Sequence, residues 1–165
     1  MDFYPWLVLA HVVSAFIFIL AHGVSAFAMY RVRAESDRAR LLTLLDLSAS
    51  SLLTATLAVT VALVTGIVAA VAGGHFDRAW PWAAIAILVG VGLVMTPLAG
   101  IPMTNVRTAL GQLTPRQVKK GETAPEPVSD ADLGVVRAKL RPELVSGIGI
   151  VGLTVLVWLM QEKPF

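Results

Sequence analysis

The sequence predicts an all-α transmembrane four-helix bundle, a single domain over residues 1–165, and three observations carry that expectation. Of the 165 residues, 56% are hydrophobic and 15% charged, with a mean hydropathy of +0.76. That is more apolar surface than one soluble core of this size can hide. The charges are bunched, so four runs, at about 5–30, 47–72, 80–101 and 143–160, are almost free of them. Each run is roughly 18 to 26 residues long, and at 1.5 Å rise per residue a span needs about 20. Hydrocarbon offers the backbone no hydrogen-bond partner, so spans of this kind are helical.

The first run begins behind Asp2 with no Lys or Arg ahead of it, is far longer than a signal-peptide core, and is followed by Arg31 and Arg33. It is expected to stay as a span rather than be cleaved. The second run ends in the Gly73-Gly74 turn, and Pro81 suits the start of the third. Pro97 is expected to kink the third span, with Thr96 helping to satisfy the carbonyl that it frees. Behind Pro102, the helical spacing of Val106, Ala109, Leu110 and Leu113 predicts a short amphipathic helix along the membrane. Pro125 and Pro127 then break the chain. Ser129 is a natural N-cap for a second short helix carrying Leu133, Val136 and Leu140 on one face, and Pro142 suits the first turn of the fourth span. Small residues (Ala10, Ser14, Ala21 and Ser25 in the first run, Gly90 and Gly92 in the third, Gly147, Gly149 and Gly152 in the fourth) predict close helix packing. A leucine at Gly149 is therefore expected to overpack the bundle.

Orientation follows from the basic residues. Eleven of the thirteen lysines and arginines fall in the two connections at about 31–46 and 102–142, against Arg78 and Lys163 elsewhere. By the positive-inside rule these are the cytoplasmic loops, and the N-terminus and C-terminus are outside. Tyr4, Trp6, Phe76, Trp80, Trp82, Trp158 and Phe165 gather at the opposite ends of the runs as an outer interfacial belt. The basic residues are thus read as topology signals, with no nucleic acid as partner. Asp46 is expected as a solvated carboxylate near the start of the second span.

Chemistry is sparse. Cysteine is absent, and so are a Walker lysine in a glycine-rich loop, HExxH and GxSxG. The span interiors hold no Asp, Glu, Lys or Arg, which speaks against a proton relay or a charge-coupled transporter. The histidines are the exception. His11 and His22 are eleven residues apart on the first span, hence within about 20° of one stripe and roughly 16 Å apart along the axis. Met95 falls near the level of His22, and His75 near that of His11. The cofactor-binding candidates are therefore His11, His22, His75 and Met95, for haem b or copper, with His11, His22 and Met95 the metal candidates. The competing reading is that each imidazole simply hydrogen-bonds Ser51, Thr54 or Thr65 of the second span.

The run His22-Gly23-Val24-Ser25-Ala26, the segments Tyr30-Arg31-Val32-Arg33-Ala34-Glu35 and Leu44-Leu45-Asp46-Leu47-Ser48, and the ending Trp158-Leu159-Met160-Gln161-Glu162-Lys163-Pro164-Phe165 resemble a family of uncharacterised bacterial four-helix integral membrane proteins. The resemblance covers essentially the whole chain. It implies a membrane protein distantly similar to the copper-resistance D type, whose ligands would be His and Met, and it carries over no catalytic residues. The expected role is that of a non-catalytic component of the bacterial cytoplasmic membrane. Its expected partners are the lipid bilayer and either a second copy or another membrane subunit. Haem or copper binding through the histidine stripe is the alternative, and a small transporter or channel the weaker one.

Overall fold

The computed structural model describes residues 3–164. Asp2 and Phe165 lie outside the described residues, as does the side chain of Arg116. The elements are α1 (Tyr4–Ala34), α2 (Arg38–Ala72), α3 (Trp80–Met95), a π-helical turn (Thr96–Gly100), α4 (Ile101–Ala109), α5 (Pro115–Lys119), α6 (Asp130–Ala138) and α7 (Pro142–Glu162). Four helical rods, with α3, the π turn and α4 forming one of them, are long and apolar enough to cross a membrane.

The short connections are set by local chemistry. Pro5 begins α1, and Arg31 and Arg33 in its last turn face the negative pole of the helix. The link to α2 is only residues 35–37. There Glu35 Oε1 accepts the amides of Ser36 and Asp37 at 2.9 and 3.0 Å, and the Asp37 carboxylate caps α2 by accepting from the Arg40 amide at 2.8 Å. The connection expected over 31–46 is therefore largely helix: a charge does not end a helix that has outrun the membrane. At 31 and 35 residues, α1 and α2 are about 46 and 52 Å long, well beyond the roughly 30 Å hydrocarbon layer.

At the other end, Gly74 takes the left-handed conformation (φ 64°) that turns the chain toward α3. The Trp82 indole donates to the Phe76 carbonyl at 3.3 Å and packs edge-on against its ring, fixing that turn. Pro97, without an amide, is absorbed by the π turn, in which the Ile101 amide reaches the Thr96 carbonyl. The Thr96 hydroxyl donates to Gly92 at 3.1 Å, one carbonyl short of the Leu93 carbonyl that Pro97 leaves free. Ser129 caps α6, accepting from the Asp132 amide at 3.2 Å, and Pro142 opens α7.

Packing is uneven along the bundle. Helices α1 and α2 lie closely side by side, as do α3 and α7, whereas the two hairpins meet mainly through α1 with α7 and, at the end carrying the arginines, through α4 and α6. At this basic end Met29, Val32, Leu41, Leu45, Val106, Ala109, Leu110, Leu133, Leu140 and Val145 form the largest buried cluster. The apolar face of α4 is thus spent on the protein core, not laid along the membrane as its spacing alone implies. Arg33–Glu143 (2.8 Å), Arg38–Asp130 (2.6 Å) and Arg107–Asp46 (2.7 Å) surround the cluster. Asp46 is consequently paired, two turns inside α2, rather than a free carboxylate at a helix start. Away from this end the bundle is inside-out by soluble standards. Phe16, Leu20, Leu53, Leu57, Leu93, Ile150 and Val151 are all largely exposed, as befits a multi-pass membrane protein whose solvent is lipid.

Candidate functional site

The histidine stripe divides into two halves with different fates. His11 is committed to structure: its Nδ1 donates to the Ala62 carbonyl at 2.7 Å, and its ring lies over Gly66, where a β-carbon would stand 2.8 Å from Cε1 and Nδ1. The contact depends on the small face of α2, where Ala55, Ala58 and Ala62 are buried against α1. Ser51, Thr54 and Thr65 are not the partners expected for it. Each turns its hydroxyl back to its own helix, to Leu47, Ser50 and Val61. His75 stays within the aromatic-end turn, its Nε2 against Gly73 and its ring 5.7 Å from that of Trp80. No contact among the described residues joins it to His11, and no group of three or more His, Asp or Glu there could hold a metal ion.

The inner pair is different. His22 stacks on Phe18 with ring centroids 5.5 Å apart. A β-carbon at Gly149 would sit 3.8 Å from His22 Nε2 and 3.6 Å from Met95 Cε, so α1 and α3 bring these two tips together over a bare patch of α7. Both line a cavity of about 860 Å³ between the two hairpins. Its walls are apolar, with Leu52, Val59, Leu63, Leu88, Val91, Leu153 and Leu156 among them, and Ser25, Ser48, Thr56 and Thr60 add hydroxyls. Ser25 and Ser48 satisfy one another across α1 and α2 at 2.8 Å. Gly92, Gly149 and Gly152 line it from the second hairpin. Gly152 is packed, its missing β-carbon 2.9 Å from Val91 Cγ2, whereas Gly149 meets only ordinary contacts and Gly90, Gly92 and Gly147 meet none. A leucine at Gly149 therefore has room, contrary to the expectation of overpacking.

Sequence reasoning missed three parts of this site. Met29 and Met103 join Met95 on the lining, and Arg107 stands at its basic end as the one charged residue there. The methionines carry no periodic signal inside uniformly apolar runs. Arg107 is legible only as one basic residue among seven in its connection, since nothing in the spacing tells which of them turns back toward the spans. Compared with known proteins, the chain matches no protein-family model, no curated protein and no solved structure.

Proposed function

We propose that this chain is a non-catalytic, four-span protein of the bacterial cytoplasmic membrane, with both termini outside, whose two hairpins hold an apolar small molecule between them. The observation that carries this reading is the cavity: about 860 Å³ falls within the roughly 300 to 1,000 Å³ range of ligand sites, and an apolar wall with a few polar groups is their usual chemistry. The orientation is supported by eleven of thirteen basic residues on one side and by Trp6, Trp82 and Trp158 standing exposed at the other. The test is to fill the space. Gly149→Phe should leave the protein folded and displace whatever extracts with the wild type, read by mass spectrometry of the purified protein. Unfolding of the variant, or an unchanged extract, would count against a binding cavity.

A second reading rests on the meeting of His22 and Met95 over Gly149. An imidazole and a thioether suit haem iron or copper(I) as a donor pair, and among the described residues His22 has no hydrogen-bond partner that would commit it elsewhere. Protein made with ample haem and copper should then show a Soret band, or near-stoichiometric copper, that His22→Gln removes. A colourless, copper-free preparation sinks this reading and leaves the first intact.

A further inference from the structure

The cavity is long rather than round. Along α2 its lining runs from Leu45 to Leu63, about 27 Å at 1.5 Å per residue. Spread over that length, 860 Å³ is a mean section of about 32 Å², under half the roughly 80 Å² section of a helix about 10 Å across. A transmembrane helix of another subunit does not fit. A hydrocarbon chain whose carbons keep about 4 Å from their neighbours needs only some 16 Å² and does fit.

The slot also has a side entrance and a charged end. Contact between α2 and α3 is marginal at most, and the two rods close on each other only through α4. Flanking that gap, Leu52, Thr56 and Thr60 of α2 face Val89, Gly92 and Thr96 of the other hairpin, all lining the cavity and all exposed. The entrance thus opens laterally, where a membrane protein meets lipid. At the basic end of the gap stands Arg107, whose side chain is 19% exposed and whose Nη2 holds Asp46 Oδ1 at 2.7 Å by a single contact. One-point pairing leaves the guanidinium short of the two-pronged grip it gives a carboxylate or phosphate.

We propose that the slot between α2 and α3 takes a single-chain amphiphile from the membrane, its tail along the apolar walls and its anionic oxygen head, carboxylate or phosphate, on Arg107. This rests on the reading of the cavity as a binding site and adds the class of occupant, the route of entry and the residue that selects the head. Asp46 is then a competitor: it neutralises Arg107 while the slot is empty and yields part of the guanidinium to the arriving head.

The test uses photoactivatable sixteen-carbon probes that differ only in the head (a carboxylate, a phosphate monoester and a neutral alcohol), applied to the full chain in lipid nanodiscs, with adducts mapped to residues. The carboxylate or the phosphate should label Leu52–Thr60 and Val89–Thr96 well above the alcohol. Arg107→Gln should lower that labelling about tenfold, as befits loss of a charge-assisted pair. Asp46→Asn, which removes the competitor and keeps Arg107, should raise it. The alcohol should respond to neither change, and the opposite signs of the two variants separate head recognition from a folding defect. Equal labelling of the slot by all three probes, indifferent to both substitutions, would overturn the assignment to Arg107 and leave the cavity reading standing. Adducts confined to outward residues such as Leu20, Leu53 and Ile150, or adducts joining the slot to a second protein chain, would overturn both.

Discussion

Gly66 and His11 are the tightest pair between α1 and α2, and they make a sharp case for how one atom is accommodated. Because His11 is held by its bond to Ala62, its ring cannot step back from a new methyl group without giving up a hydrogen bond. Gly66→Ala should therefore cost about 1 to 3 kcal/mol, seen as a lower melting temperature in detergent, whereas Gly147→Ala, with nothing within 4 Å, should be close to neutral. His11→Gln keeps a donor and should cost about 1 kcal/mol or less. At the α1–α2 link, the amides of Asp37 and Ser36 hold the Glu35 carboxyl below its ordinary value of 4.5. Its contribution is complete above pH 4.5 and is lost as pH falls through the lower folded value, so a carbon NMR titration of Glu35 should have its midpoint under 4.5. Both histidines of α1 were legible in the sequence as a stripe. Their separate fates were not, because the acceptor for His11 is a backbone carbonyl that any residue at position 62 would present, while the freedom of His22 depends on what Gly149 leaves empty.

The elements themselves follow from patterns readable before any coordinates: apolar length gave the four rods, Ser129 and Pro142 marked two helix starts, and the Gly73-Gly74 pair marked a turn. Where such reading went astray, at 31–46 and at α4, it equated polar sequence with loop and amphipathic sequence with a lipid surface. In the protein, the charged turns continue α1 and α2, and the apolar face of α4 finds Leu133 and Leu140. The basic end is held by that apolar contact more than by its ion pairs. Arg33 and Glu143 are 43% and 66% exposed, and breaking such a pair costs about 1 kcal/mol at most. Leu140→Ala, at a fully buried position, should instead cost about 2 to 5 kcal/mol. Ser129→Ala should cost about 1 kcal/mol through the lost cap. Thermal unfolding of the three variants side by side checks the order.

For the molecule as a whole, the proposed orientation has a direct readout: a reporter fused after Phe165 should be translocated, and one inserted at the exposed Gly121 turn should stay in the cytoplasm. A cytoplasmic reporter at the C-terminus would overturn it. The contrast between a packed basic end and hairpins parted along α2 and α3 also predicts a gradient of amide exchange, slowest around Leu41, Val106 and Leu140 and faster toward the middle of α3. The π turn gives the molecule one more property, which concerns tolerated lengths rather than tolerated side chains. By carrying one residue more than a regular turn, Thr96–Gly100 sets the phase of everything after it. Deleting any one of those residues would let the rod run on as plain α-helix and swing α4 by about 100°, taking Val106 out of the core and Arg107 away from Asp46. A single-residue deletion there should thus do more harm than most substitutions in the same segment, while a residue lost from the exposed stretch around Gly121 to Thr123, where no helix carries phase forward, should pass almost unnoticed.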